Sequence, residues 1–99
     1  RQRLAMAAVE EHLLDDEAGV VRLLDQALAH AEPSAGYIQA YPPGVRENGG
    51  QYSHAGAWAV LAFAARGDAE AAWRTFRYLS PPHRSRHARQ GPVYGIEPY

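Results

Sequence analysis

The sequence predicts an all-α fold made of helical hairpins, with a long loop rich in Gly, Pro and Tyr and a short extended segment at the C-terminal end. Apolar residues recur at three- and four-residue spacing in several segments, which is typical of amphipathic helices. Gly and Pro concentrate between residues 36 and 52, and this stretch lacks the clean two-residue alternation of a strand. The length of 99 residues fits a single small unit.

The part of the chain before this loop is predicted to hold one pair of helices. From Leu4 to about Leu14, apolar side chains repeat with helical spacing and acidic side chains lie on the opposite side. The acidic run at 15–17 suits the start of a second helix, whose apolar positions extend from Val20 to Ala31. Pro33 ends this helix, because Pro lacks a backbone N–H and disfavours helical backbone in the residue before it.

A second pair of helices is predicted after the loop. Ser53 suits the N-cap of a helix that stops at Gly67, and Asp68 suits the cap of a further helix over residues 69–79. The two helices are expected to form an antiparallel hairpin, with Arg74 and Arg77 facing outward. Four aromatic residues fall on positions that we assign to the core: Trp58, Phe63, Trp73 and Phe76.

The end of the chain is predicted to be irregular. Ser80-Pro81-Pro82 ends the last helix, and residues 83–90 are predicted to form a basic loop. Residues 91–99 are predicted to be extended, with one short strand. His83 and His87 have the spacing of a metal-binding pair, but the neighbouring Arg residues disfavour a dication. We therefore predict a solvated or phosphate-facing loop and no metal site.

Charge and composition argue against several classes of function. The 10 basic residues, all Arg, and 11 acidic residues give a net charge of -1, which argues against a nucleic-acid binder that relies on many phosphate contacts. The absence of Cys excludes disulfides, thiolate zinc sites and Cys nucleophiles. No Gly-x-Ser-x-Gly, phosphate-loop or dinucleotide-binding pattern occurs, so the common serine-hydrolase and nucleotide-binding classes are not indicated.

The densest group of polar side chains extends from Arg46 to His54. If a helix starts at Ser53, the free N–H groups of its first turn lie near His54 and favour an anion, for which Arg46 supplies a fixed positive charge. The residues alone leave open an alternative, in which 48–50 is only a turn and His54 is a helix-capping residue. Three rings with hydroxyl edges, suited to partly polar ligands such as sugars, flank the Gly- and Pro-rich loop: Tyr37, Tyr41 and Tyr52.

The run from Gly36 to Ala55 contains the pattern Glu-Asn-Gly-Gly-x-x-x-His and resembles a signature stretch in the catalytic domain of glycoside hydrolase family 94, particularly its cyclic β-1,2-glucan synthase branch. The flanks resemble that family too, so the similarity spans nearly all 99 residues. It implies that the chain is a single fragment of a larger (α/α)6-barrel catalytic domain. Family members that cut β-glucosidic bonds do so by phosphorolysis with inversion, releasing α-glucose 1-phosphate.

The resemblance implies roles for four residues. His54 matches a histidine that contacts phosphate, Arg46 and Glu47 match a pair that faces bound sugar, and Tyr41 is a sugar-contacting aromatic. The family's general-acid Asp lies in a motif expected upstream, so no catalytic residue is assigned here and the isolated chain is expected to be inactive. Inorganic phosphate is the implied co-substrate, and no cofactor is implied.

The implied partners are a β-glucan or glucosyl oligosaccharide and phosphate, with no nucleic acid. Self-association is also expected, because helical pairs without their barrel neighbours expose apolar faces. The resemblance implies a bacterial protein whose longer form is associated with the inner membrane, with a soluble catalytic domain and a soluble fragment. An alternative hypothesis, outside the enzymes, is a noncatalytic helical-hairpin interaction module with a Tyr-rich binding loop.

Overall fold

The computed structural model describes residues 1–86 and 91–94 of the chain. Of the residues in the structure, 52% are helical and 5% lie in strands, so the prediction of a mostly helical chain is confirmed. In chain order the elements are α1 (Gln2–His12), β1 (Leu14–Asp15), β2 (Val20–Val21), a 3-10 helix (Gly36–Ala40), α2 (Ser53–Ala65), α3 (Ala69–Leu79), α4 (Pro81–Arg84) and α5 (Gly91–Tyr94). The two strands form an antiparallel pair in which Leu14 lies opposite Val21.

The α2–α3 hairpin is the centre of the fold and follows the prediction closely. Gly67 has a φ of 79°, which suits the turn after a helix, and the Asp68 carboxylate caps α3 by accepting from the Ala71 N–H at 3.1 Å. Gly56 permits close packing of the two helices, because a Cβ there would lie 2.4 Å from Leu79 Cδ2. Ser53 is the first residue of α2 rather than its cap, which is Tyr52.

The predicted second helix over Val20–Ala31 is wrong. After α1, the chain turns back on itself as a short hairpin: the Asp15 carboxylate accepts from the Ala18 N–H at 2.9 Å, and Gly19 has a φ of 65°. The following residues have no regular structure up to the 3-10 helix. The first half of the described chain therefore contains one helix and a two-stranded hairpin rather than a helical pair.

The backbone donors of this segment explain why it is not helical. The Val21 N–H donates to the Gln51 side chain at 2.7 Å, and the Leu23 N–H donates to the Gly50 carbonyl at 3.1 Å. The Leu28 N–H donates to the Asn48 side chain at 2.6 Å. A helix would use these same donors for carbonyls four residues earlier. Contacts with a distant loop thus replace the local hydrogen bonds that apolar spacing predicted.

Three of the four aromatic residues assigned to the core lie at the surface. Phe63 is fully buried, whereas Trp58, Trp73 and Phe76 are 68%, 61% and 48% exposed, so the assignment is wrong for these three. Trp73 and Phe76 stack on each other at a ring-centroid distance of 5.6 Å. The buried side of α3 is instead a face of smaller or hydrogen-bonded side chains: Ala71, Ala72, Thr75 and Tyr78.

Polar partners explain this orientation of α3. The buried Thr75 hydroxyl donates to the Ala71 carbonyl at 2.7 Å, so it is satisfied within its own helix. The Tyr78 hydroxyl donates to the Asp16 carboxylate, and burial followed by this hydrogen bond raises the pKa of Tyr78 to about 12. Arg74, predicted to face outward, pairs with Glu10 of α1, and its Nη1 lies 3.7 Å from Asp16 Oδ2. These contacts direct the opposite face of α3, with its aromatic rings, to the surface.

The end of the described chain differs from prediction in two places. Pro81–Arg84 forms a helical turn, and Arg84 is buried with its Nη1 donating to the Gly19 carbonyl at 3.2 Å, so it does not belong to a solvated loop. Gly91–Tyr94 is a helical turn rather than extended chain. Residues 87–90, with His87, and residues 95–99 lie outside the described part.

Candidate functional site

The loop between the 3-10 helix and α2 is organised around the buried carboxamide of Asn48. Asn48 is fully buried; its Nδ2 donates to the Tyr41 carbonyl at 2.7 Å, and its Oδ1 accepts from the Leu28 N–H at 2.6 Å. Its own N–H donates to the Val45 carbonyl at 3.0 Å, and its carbonyl accepts from the Gly44 N–H at 2.9 Å. Both main-chain groups of Asn48 and both ends of its side chain are therefore satisfied by protein.

The turn inside this loop requires glycine at two positions. Gly49 has a φ of 102°, and a Cβ on Gly50 would lie 2.8 Å from the Arg46 carbonyl oxygen. Arg46 itself has a φ of 50°, which is uncommon for a residue with a side chain. Its carbonyl accepts from the Gly50 N–H at 2.8 Å, and this bond helps to hold the unusual backbone conformation.

Arg46 lies between an aromatic ring and a carboxylate. Its guanidinium carbon is 5.1 Å from the centre of the Tyr41 ring, within the range of a cation–π contact. Its Nε is 4.0 Å from Glu47 Oε2. The Tyr41 ring in turn meets the Tyr37 ring edge to face at 6.4 Å. Arg46 is more exposed than Glu47, with 62% and 34% of the side-chain surface accessible, so the guanidinium can donate to a ligand.

The Glu47 carboxylate is held in its ionised form. Its own backbone N–H, the Tyr52 hydroxyl and the Arg46 charge lower the pKa of Glu47, against the opposing effect of burial. Burial and the hydrogen bond to Glu47 raise the pKa of Tyr52. Glu47 Oε2 is shielded from solvent and has no hydrogen-bond partner among residues 1–86 and 91–94. The carboxylate is therefore held negative by its neighbours, and one of its two oxygens is closed off from solvent.

His54 lies at the start of α2 with an exposed side chain. Its ring is 5.8 Å from the Tyr52 ring, and the two planes are tilted by 37°. The first N–H groups of an α-helix have no partner within the helix and carry its positive dipole end, which favours an anion. Because Tyr52 is the cap residue, the alternative that His54 caps the helix is wrong.

The predicted site residues are linked by neighbouring contacts. These contacts run from Tyr41 to Arg46, from Arg46 to Glu47, from Glu47 to Tyr52 and from Tyr52 to His54. Asn48 and Gly49 do lie in a turn, as the alternative interpretation of 48–50 had it. What sequence reasoning missed is that Asn48 is a buried anchor, a role that the turn-forming pair Asn-Gly does not reveal.

Gln51 is a second anchor that sequence reasoning missed. Its Oε1 accepts from the Val21 N–H at 2.7 Å, and its Nε2 donates to the Tyr78 carbonyl at 3.2 Å. The side chain thus joins β2 to α3 immediately before α2 begins. No periodic signal marks such a residue, because both partners are distant main-chain groups.

The match to known proteins decides the family. Residues 1–99 match the model of the glycosyl hydrolase 94 superfamily catalytic domain. The chain belongs to this family. It is 52% identical over 99 residues to the cyclic beta-(1,2)-glucan synthase NdvB of Rhizobium meliloti (strain 1021), and the match covers the whole chain but 4% of that bacterial protein. The resemblance inferred from the loop is therefore confirmed, and the chain corresponds to a small part of this relative.

Two further properties bear on this family member. Within the described ranges, no helix has the length and apolar character needed to cross a membrane. Over the same residues, no group of three or more His, Cys, Asp or Glu side chains is arranged to hold a metal ion. The charged groups of the site are those of Arg46 and Glu47, together with the dipole at the start of α2.

The first prediction concerns Tyr52→Phe. Loss of the hydroxyl removes one of the hydrogen bonds that lower the pKa of Glu47, so this pKa should rise, and the carboxylate should take up its proton at a higher pH than in the wild type. Carboxyl carbon chemical shifts followed by NMR across acidic pH measure the change. Tyr37→Phe is the matched control and should leave the Glu47 titration unchanged; an unchanged titration in Tyr52→Phe would contradict the contact.

The second prediction concerns Asn48→Ala. This change leaves the Leu28 N–H and the Tyr41 carbonyl without their partner, and each unpaired group should cost about 1–3 kcal/mol of stability where it stays buried. Urea denaturation measures the loss, and hydrogen exchange at the Leu28 amide should become faster. Gln26→Ala removes an exposed carboxamide and should have little effect; equal losses in both variants would refute the anchoring role of Asn48.

Proposed function

We propose that this chain supplies phosphate- and glucosyl-binding residues to an inverting, phosphorylase-like enzyme that acts on β-glucans, in a bacterial protein related to cyclic β-1,2-glucan synthases. The observation that carries the proposal is the run of contacts from Tyr41 through Arg46 and Glu47 to His54, in a chain that matches the family throughout. The name of the bacterial relative supports a glucan as the substrate.

His54 is assigned to inorganic phosphate. The imidazole is exposed at the start of a 13-residue helix, where backbone N–H groups and the helix dipole favour an anion. An N–H of the ring donates to a phosphate oxygen, and Arg46 contributes positive charge nearby on the same loop. Phosphate is already an anionic nucleophile, so phosphorolysis needs no carboxylate to activate it, unlike hydrolysis by inversion.

Arg46, Glu47 and Tyr41 are assigned to the glucosyl unit. The guanidinium donates to sugar hydroxyls, the carboxylate accepts from them, and the Tyr41 ring provides an apolar surface for the sugar ring. The direction of the Glu47 pKa supports binding rather than proton donation. A general acid needs a pKa raised towards neutrality, whereas that of Glu47 is lowered. The group that protonates the leaving oxygen therefore lies elsewhere in the enzyme, and we expect the 99 residues alone to be inactive.

The exposed Tyr37 ring favours a second candidate function, a noncatalytic module that binds a carbohydrate or a peptide. Tyr37 is 72% exposed and meets Tyr41 edge to face, so the pair offers aromatic surface without any need for phosphate. The two functions differ in their response to inorganic phosphate. Phosphate should perturb the amides around His54 under the first proposal and leave them unchanged under the second.

The third prediction tests the phosphate role of His54. Inorganic phosphate titrated into the 99-residue chain should shift the amide signals of the first turn of α2 in NMR spectra. His54→Ala should weaken this binding roughly tenfold or more, because a charge-assisted hydrogen bond is lost. His30→Ala removes another exposed imidazole and should leave the affinity unchanged. Phosphate binding that is equal in both variants would contradict the assignment, as would a wild-type chain that shows no shifts.

Self-association is the fourth prediction, and it rests on the aromatic surface of the α2–α3 hairpin. Exposed rings such as Trp73 and Phe76 form an apolar patch that a second copy can cover. Light scattering should show a mass that rises with protein concentration, and Trp73→Glu should reduce the association. Tyr37→Glu changes an aromatic residue outside the hairpin and serves as the control. A stable monomer at high concentration would contradict the proposal.

A further inference from the structure

The carboxamide of Gln51 connects the loop of Arg46 to two other parts of the molecule. Its Oε1 accepts from the Val21 N–H of β2 at 2.7 Å, and its Nε2 donates to the Tyr78 carbonyl near the end of α3 at 3.2 Å. Reversing the amide would set its NH2 group against an N–H and its oxygen against a carbonyl. Only one orientation satisfies both contacts, so the Gln51 side chain is fixed by two distant main-chain groups.

The same end of α3 also supports the beginning of α2. A Cβ on Gly56 would lie 2.4 Å from Leu79 Cδ2, so the two helices are in close contact at this point. His54 lies two residues before Gly56 on α2. The loop of Arg46 and the helix that carries His54 are therefore both held against neighbouring residues of α3, the loop at Tyr78 and the helix at Leu79.

Arg46 is tied to Gln51 through a single residue. The Gly50 N–H donates to the Arg46 carbonyl at 2.8 Å, and the Gly50 carbonyl accepts from the Leu23 N–H at 3.1 Å. A displacement of Gln51 is therefore passed to the backbone of Arg46. Side chains that act on one ligand must keep their relative positions within about 0.5 Å, and supporting hydrogen bonds are what hold them there.

We propose that Gln51 is a positioning residue that sets the place of the Arg46 guanidinium relative to the His54 imidazole, so that both act on one phosphate ion. This inference rests on the proposed function, in which His54 donates to phosphate and Arg46 adds positive charge. Gln51 acts through these two side chains and not on the ligand, because its own carboxamide already pairs with main-chain groups.

The test is a double-mutant cycle on the affinity for inorganic phosphate. Phosphate is titrated into the 99-residue wild type, Gln51→Met, Arg46→Gln and the double variant, and binding is followed by the amide shifts of the first turn of α2. Met keeps the length of the side chain but cannot donate a hydrogen bond. Each single change should weaken binding about fivefold, and the double variant should lose little more, because an unpositioned guanidinium contributes little that can still be lost.

Gln39→Met is the matched control. The Gln39 carboxamide also pairs with two main-chain groups, accepting from the Ala35 N–H at 3.1 Å and donating to the Ala29 carbonyl at 3.0 Å, but it lies in the 3-10 helix, outside the proposed phosphate site. Urea denaturation should show comparable losses of stability in Gln39→Met and Gln51→Met. The phosphate affinity should fall only in Gln51→Met, whereas a merely structural role would leave the two variants with equal affinity.

Three results would overturn the proposal: wild-type affinity in either single variant of the cycle, an equal loss of affinity in Gln39→Met, or losses that multiply in the double variant. In each of these cases phosphate still binds the wild type, so the phosphate role of His54 stands. A wild type that does not bind phosphate would overturn both. If circular dichroism shows that Gln51→Met is unfolded, Gln51→Asn, whose shorter side chain cannot reach both partners, takes its place in the cycle.

Discussion

The carboxamide of Asn48 is the contact on which the irregular half of the molecule depends. Between β2 and α2 the chain has only one short 3-10 helix, so few of its main-chain groups can pair within regular elements. Asn48 joins the segment at Leu28 to the chain at Tyr41, with donor and acceptor in use at once. A buried amide with both ends satisfied fixes direction as well as proximity, because neither end can be exchanged for the other.

Two further carboxamides extend this arrangement. Gln51 connects β2 to α3, and Gln39 donates to the Ala29 carbonyl at 3.0 Å while accepting from the Ala35 N–H at 3.1 Å. Side-chain amides thus provide hydrogen-bond partners for main-chain groups that would pair with each other in a sheet or a helix. The consequence for the candidate site is that the Arg46 and His54 side chains are exposed while the backbone of the loop between them is held by hydrogen bonds. Exposed groups on a fixed backbone lose little conformational freedom when a ligand binds.

Elements held by interactions between residues close in sequence are predictable here, and those held by interactions between distant residues are not. Helices α1, α2 and α3 and the Gly67–Asp68 corner follow from local spacing and from the Asp68 cap, as predicted, although Ser53 begins α2 rather than capping it. The proposed site residues Arg46, Glu47 and His54 can be selected from the sequence because they fall within one short stretch of chain. The segment from Val20 to Ala31 was not predictable in the same way, because its N–H groups pair with side chains some 20 to 30 residues away. Apolar spacing carries no information about such partners.

Three of the four rings of the α2–α3 hairpin that were predicted to lie in the core are exposed, and α2 presents apolar side chains on more than one side. Its composition is apolar nearly all round, and a helix of this kind is typical of the interior of a larger protein. One side of α2 borders an apolar cavity that α1 and β2 complete, and another side borders a groove that α2 forms with α3. The first turn of α2 carries His54. Packing on either side of α2 would therefore act on the helix that carries the His54 imidazole. The apolar surfaces and the polar site are therefore parts of one arrangement, in which packing around α2 sets the geometry of the proposed phosphate contact.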